Sequence, residues 1–198
     1  MYRVVTLAAL NDGLDLSNED AITELAATAD YQLDCGPTHV RVVLRGQDVS
    51  EEIRTQRIAN RSKEIARLKR VREVLVAKQQ EIGRELGSMV SEGRDQGSVA
   101  FPNADYKFFM IADLATRADR RFHDLRSEGE DVTLEQVRTN ISSRDESDIK
   151  KGGLAKPVDA IEVDTSNHTI SQVLEQLLDR LASDGVEIPN DHPTEASS

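Results

Sequence analysis

Cysteine occurs once in this chain, at Cys35. That excludes an internal disulfide framework and any multi-cysteine zinc site. Tryptophan is absent, and four Phe and three Tyr are the only large aromatics. Histidine appears at His39, His123, His168 and His192, with no ligand spacing among the four. Positive charge is short as well: 25 basic residues face 36 acidic ones, a formal charge of −11. A deficit of that size argues against duplex DNA or an anionic membrane as the main partner, since both reward positive charge. No apolar stretch approaches the ~18 residues of a membrane span. The run Val4–Leu10 is followed by Asn11-Asp12-Gly13 without a small-residue cleavage site. The expectation is an acidic, cytoplasmic protein.

The 198 residues suffice for one domain with an inserted lobe and a core that needs no staples. Residues 2–10 read as a short apolar helix stopped by Asn11-Asp12-Gly13. Ser17 reads as the start of a second, with Ile22, Leu25 and Ala26 at helical spacing. From residue 31 the period changes to strand, turn and strand (31–33 and 39–44), with another turn at Gly46-Gln47-Asp48. Residues 50–86 read as helical. Ser88–Ser91 is a short strand candidate, Tyr106–Ile111 the strongest one, and Ala160–Asp164 a third. Helices are expected at 115–128, from Thr133 (with Gln136 completing a capping box) toward Asp148, and at 170–181. Residues 149–153 read as a loop, and 185–198 as a disordered acidic tail. Strands alternating with helices fit a parallel α/β sheet.

Charge is unevenly spread. Residues 51–72 hold eight basic side chains against three Glu, so this window is +5 and the remainder −16. A cationic cluster on an acidic protein suits a small anion; the competing reading is a solvated helix face with ion pairs one turn apart. Gly93-Arg94-Asp95-Gln96-Gly97 directly follows a strand candidate, where open α/β sheets bind ligands. Arg suits forked phosphate contact, and Asp can orient it or accept from hydroxyls; a plain tight turn is the other reading. Arg144 and Asp148 lie one helical turn apart ahead of Lys150-Lys151-Gly152-Gly153, a cationic loop able to close over phosphates. His123 reads as a surface residue and Cys35 as passive. No nucleophile–base pair stands out. Phosphoryl transfer needs none, since it runs on positioning and charge neutralisation.

Taken in order, these pieces resemble the bacterial cytidylate kinases, P-loop nucleoside monophosphate kinases. Met1-Tyr2-Arg3 resembles the end of that family's D-T-G-A-M-Y-R segment. Ser62, Val71-Arg72-Glu73 and Gln79 or Gln80 resemble its S…VR…Q pattern. Gly93 to Val99, through Phe101-Pro102 and Ala104, resembles G-R-D-x-G-T-V-V-F-P-x-A. Lys107-Phe108-Phe109, Arg117 and Arg120-Arg121 resemble the next strand and helix. Arg144-Asp145, Asp148, Leu154 and Asp159-Ala160 resemble the lid and last strand.

The resemblance implies phosphoryl transfer from ATP to CMP or dCMP with Mg²⁺. Carried over by position, Ser62 and Arg72 would read cytosine, while Arg3, Arg94 and Arg144 would hold phosphates. Asp95 and Asp148 would serve the sugar or these arginines, Arg54 would support the lobe, and Tyr2 would line the substrate site. Arg94, Arg144 and Lys151 would be the catalytic cations, with Lys150 the candidate on the ATP side. No metal ligand is assigned. The implied partners are nucleotides, not a nucleic-acid polymer or a membrane, and a monomer is expected. The implied domains are a kinase core (1–28 and 86–184), an NMP-binding lobe (29–85), a lid segment (145–155) and the tail.

Two departures matter. A Lys at 150 or 151 stands where the family has Arg, and it cannot make the same fork. The chain also holds no G-x-x-x-x-G-K-[ST] and no Gly-Lys dipeptide. The expectation is therefore a kinase fold short of its first strand, P-loop helix and second strand. The alternatives are a non-catalytic remnant, acting as a weak nucleotide-binding or protein-interaction module, and an unrelated helical partner protein.

Overall fold

The computed structural model describes residues 1–36, 39–150 and 156–187, with 147–150 by backbone alone. The chain folds as two compact units: Met1–Glu92 with Val99–Phe101, and Gly93–Ser98 with Pro102–Ser198.

The first unit is built around α1 (Tyr2–Asn11). Its residues Val4 to Ala9 are all buried, including Thr6, whose hydroxyl donates to the Tyr2 carbonyl at 2.8 Å. A helix apolar on every side must be surrounded, and α2 (Glu19–Thr28), the hairpin and α3 (Gln56–Ile65) surround it. Asn18 caps α2, accepting from the Ala21 amide at 3.1 Å. The start expected at Ser17 moves by one residue because the Asp15 carboxylate already holds the Ser17 amide and hydroxyl.

Strands β1 (Tyr31–Cys35) and β2 (Val40–Leu44) pair antiparallel, Tyr31 opposite Leu44 and Cys35 opposite Val40. Arg45 and Gly46, at φ +51° and +78°, make a tight two-residue turn that matches strand twist. The turn expected at 46–48 is therefore shorter, and Gln47–Asp48 forms β3 against β2.

The helix expected over 50–86 is divided into a 3₁₀ turn (Glu52–Arg54), α3 and α4 (Lys69–Leu86). Ile65 and Val71 are both fully buried. Six residues apart on one straight helix they would point about 120° apart; the break at 66–68 lets both face the core.

Ser88–Ser91 is not a strand. Val90 is fully exposed there, and without a neighbour to pair with, an isolated strand gains nothing over solvated coil.

The second unit holds β4 (Phe108–Ile111) and β5 (Ile161–Asp164), paired parallel with Phe108 opposite Ile161 and Ile111 opposite Asp164. Helices α5 (Leu114–Ser127) and α6 (Leu134–Lys150) lie between them in the chain and pack on each other. The expected capping box is present: Gln136 accepts from the Thr133 amide at 2.9 Å, and Thr133 accepts from the Gln136 amide at 3.3 Å. Helix α6 continues through Ile149 and Lys150, which the sequence reading put in a loop, because no Gly or Pro breaks it before Gly152. Helix α7 (Ile170–Ser183) starts at a second capping box, Thr169 with Gln172. The expected loop residues 151–153 and most of the tail, 188–198, lie outside the described residues. The architecture is α/β with a small parallel sheet. Among the described residues, no helix is long and apolar enough to cross a membrane.

Acidic side chains tie the units internally. Asp12 accepts a two-pronged contact from Arg45, both at 2.6 Å, which holds its carboxyl below the usual range. Arg41 does the same for Asp48 at 2.7 Å, helped by the Ser50 amide. Tyr31 shifts the other way: burial pushes its hydroxyl up to about 12, and its oxygen is buried without a hydrogen-bond partner. Depressed carboxyls stabilise fully above their unfolded value of roughly 3.9 and lose that contribution as pH falls through the folded values. A raised tyrosine stabilises fully below its unfolded value and loses it as pH rises from about 10 toward 12. The melting temperature, followed by circular dichroism, should therefore drop below about pH 4 and above about pH 10. A melting temperature unchanged between pH 4 and 2 would remove the carboxylate contacts from this account.

Candidate functional site

In the second unit two of the residues expected to act on phosphate, Arg94 and Arg144, come within electrostatic reach of each other. Gly93–Ser98 leads into a single π-helical turn, Gln96–Ala100. Arg94 and Asp95 sit on that segment, Asp95 half-buried and Arg94 exposed as a residue but with its guanidinium partly desolvated. That desolvation, and then the positive charge of Arg144, lowers the Arg94 pKa, while Asp145 opposes the shift. Arg144 therefore lies within electrostatic reach of Arg94. Arg144 and Asp145 lie on the last turns of α6.

A third cation belongs to this group. Arg117 on α5 binds Asp145 at 2.7 Å, both side chains about one-third exposed, and its Nε donates to the Ala112 carbonyl at 3.0 Å. Arg117 thus joins the end of β4 to α6. Its pairing with Asp145 was not readable from the sequence: the two are 28 positions apart, and only the packing of α5 on α6 makes them neighbours. Asp145 had one usable signal, its place beside Arg144.

Nearby, Arg120 donates to the Thr165 carbonyl at 2.6 Å, the Thr165 hydroxyl at 3.1 Å and the His168 carbonyl at 3.1 Å. It ties α5 to the turn after β5. Asp148 and Lys150 are on the last turn of α6, their side chains outside the described residues, and Lys151 lies wholly outside them.

In the first unit the expected residues occupy separate places. Tyr2 opens α1 and packs half-buried against the core. Arg3 is exposed and donates to the Ile53 carbonyl at 3.3 Å. Arg54 pairs with Glu51 at 3.3 Å, mostly in solvent. Ser62 on α3 is half-buried and donates to the Ala59 carbonyl at 2.9 Å. Arg72 lines a depression of about 180 Å³ with Lys69, Glu73, Val76 and Val99. Gln80 holds the far side of that segment by donating to the Ala100 carbonyl at 2.8 Å.

The basic stretch 51–72 is in large part a solvated face. Arg57 pairs with Glu52, Arg61 with Glu64 at 2.6 Å, Lys69 with Glu73, and Arg70 with Asp20. His123 is exposed, and Cys35 is half-buried with its thiol directed to the Leu33 carbonyl. Among the described residues, no three His, Cys, Asp or Glu side chains are placed to hold a metal ion.

A small parallel sheet, with Arg94 on the segment ahead of β4 and Arg144 on α6 within electrostatic reach of it, describes an α/β protein with clustered cations. The chain belongs to the cytidylate kinase family, whose model matches residues 1–183. It is 39% identical over 180 residues to a cytidylate kinase of Aeromonas salmonicida, covering 90% of this chain and 78% of that protein. It is 40% identical to the cytidylate kinase of Pediococcus pentosaceus over 180 residues, covering 90% and 79%. A third relative, the cytidylate kinase of Bacillus pumilus, is 40% identical over 189 residues, covering 94% and 83%.

The two polar ties of this region differ in expected worth. Arg120→Ala removes three donations, two of them partly buried, and should cost about 1–3 kcal/mol in urea unfolding. Asp145→Asn breaks a pair in contact with solvent and should cost under about 1 kcal/mol. The reverse order would show that the Arg117 pair, not the Arg120 tie, holds α5 in place.

Proposed function

We propose that this chain binds CMP or dCMP and belongs to the phosphotransferase reaction that moves the ATP γ-phosphoryl group to it, giving CDP or dCDP. The observation that carries this is the proximity of Arg94 and Arg144. Burial first, and then the nearby Arg144 charge, lower the Arg94 pKa, and an anion bound beside Arg94 favours its charged form. A phosphate dianion offers paired oxygens to planar forks, so one substrate phosphate suits both arginines. Asp95, on the same segment as Arg94, then serves the sugar hydroxyls or orients the fork. Arg72, backed by Val76 and Val99, and Ser62 read the cytosine ring. By the family pattern Arg3 also holds phosphate, Tyr2 lines the substrate site, and Arg54 supports the lobe. Asp148, Lys150 and Lys151 act from the lid.

Arginines so placed supply most of what phosphoryl transfer asks of a protein, which is position and neutralised charge at the equatorial oxygens. ATP and Mg²⁺ are the family's other reactants. The described residues present no carboxylate or imidazole cluster for a metal, so no step is assigned to it here. The sequence also has no glycine-rich loop ending in Lys to cradle ATP phosphates. Apolar surface in the second unit supports a fold with further elements beside it. Among the described residues β4 pairs only with β5, while Met110, Ile170 and Leu174 are about half or more exposed. A first strand and P-loop helix of the family kind would cover such residues. This keeps a second reading in view, a nucleotide-binding chain without turnover.

Calorimetric titration with CMP, beside a Mg-ATP coupled assay, separates these readings. The 198-residue chain should bind CMP, and Arg94→Ala or Arg144→Ala should each weaken binding by about tenfold or more, the worth of a charged hydrogen bond. It should release no CMP-dependent ADP. Absence of CMP binding would end the proposal. Measurable ADP release would overturn the expectation that these residues do not turn over.

A further inference from the structure

Lys107 stands just ahead of β4, and its side chain is only 8% exposed. A long cation this deeply covered needs partners, because the desolvated charge is costly alone. It has two. The ammonium donates to the Pro102 carbonyl and to the Asp159 carboxylate, each at 2.5 Å. Asp159 is itself held ionised, its carboxyl below the usual range because Lys107 donates to it.

The stem of Lys107 is engaged as well. A Cβ on Gly97 would lie 3.3 Å from Lys107 Cδ and 3.3 Å from Pro157 Cγ. The Gly97 backbone therefore rests against the lysine stem and the proline ring, with little room for more than hydrogen. One side chain meets three pieces of chain: the Arg94–Gly97 segment through its methylenes, Pro102 through its ammonium, and the approach to β5 through Asp159.

We propose that Lys107 is a positioning residue that sets the place of Arg94 and Asp95, fastening their segment to the approach of β5. The inference rests on the reading that Arg94 grips substrate phosphate. Lys107 touches no reacting group. It acts because Arg94 is three residues from Gly97, and a guanidinium fork displaced by about 1 Å no longer meets both phosphate oxygens.

Lys107→Met keeps the stem and removes the ammonium. Asp159→Asn, on an exposed partner, weakens the same tie with less risk to folding. Two readouts decide. Amide hydrogen exchange over Arg94–Ser98 should quicken by about tenfold or more in both variants, the factor a charge-assisted hydrogen bond is worth. CMP affinity should fall by a similar factor in each, and that loss should vanish when either change is made on Arg94→Ala. Unchanged exchange over Arg94–Ser98 in both variants would overturn the tie. Quickened exchange with CMP affinity intact, or a loss that persists without Arg94, would reduce Lys107 to a stability role and overturn the positioning. If the unaltered chain binds no CMP, the functional reading falls separately, and the exchange result still decides whether Lys107 places the segment.

Discussion

Six consecutive residues of α1, Val4 to Ala9, are removed from water on every side of the helix, and the first unit is arranged to make this possible. A helix with one apolar stripe can lie on a surface, whereas one that is apolar all round needs neighbours on all faces. The hairpin strand β2 gives Val42 and Leu44, α2 gives Ile22 and Ala26, and α3 gives Ile58 and Ile65 to that enclosure. The ends of α1 are secured by charge. Arg45, forced to positive φ by the tight hairpin turn, reaches Asp12 beyond the helix C-terminus, and Arg3 near the N-terminus reaches the Ile53 carbonyl. The break between α3 and α4 has the same origin, since it turns both Ile65 and Val71 inward. Burial of one helix thus explains the turn type, the helix break and two of the longer-range polar contacts.

The second unit is organised differently. Few of its apolar side chains are fully buried, Val163, Ala118 and Val137 among them. What orders it is a set of cations with assigned acceptors. Arg120 spans from α5 to the turn after β5, Arg117 joins the end of β4 to α6, and Lys107 fastens the approach of β5. Each uses carbonyls or a carboxylate that the strand ends leave available. Arg94 is affected first by burial and then by the Arg144 charge, which Asp145 opposes.

Regular elements were readable where one local signal sufficed. The capping box at Thr133 and Gln136, the Asn11-Asp12-Gly13 stop and the strand–turn–strand pattern after residue 31 are such signals. Boundaries shifted where two residues competed, as Ser17 and Asn18 did for the same cap. Ser88–Ser91 failed as a strand because composition cannot report whether a pairing neighbour exists. The site was partly readable. Gly93-Arg94-Asp95 announced itself by glycine spacing and by family resemblance, and Arg144 by its place before a cationic stretch. Arg117–Asp145 and Lys107–Asp159 were not, because each joins positions that only tertiary packing makes adjacent. Most of the basic run at 51–72, the loudest charge signal in the sequence, turned out to be paired on a solvated face.

An acidic chain with an anionic substrate is no contradiction, and the distances involved show why. At physiological ionic strength exposed charges are screened beyond roughly 8 Å, so the net charge of −11 is felt weakly at any one site. What an anion near α6 would meet is the local set of charges, in which Arg144 acts on Arg94 and Asp145 pairs with Arg117. Arg117 is itself anchored on the Ala112 carbonyl at the end of β4. The sheet edge therefore helps to decide where the Asp145 charge sits.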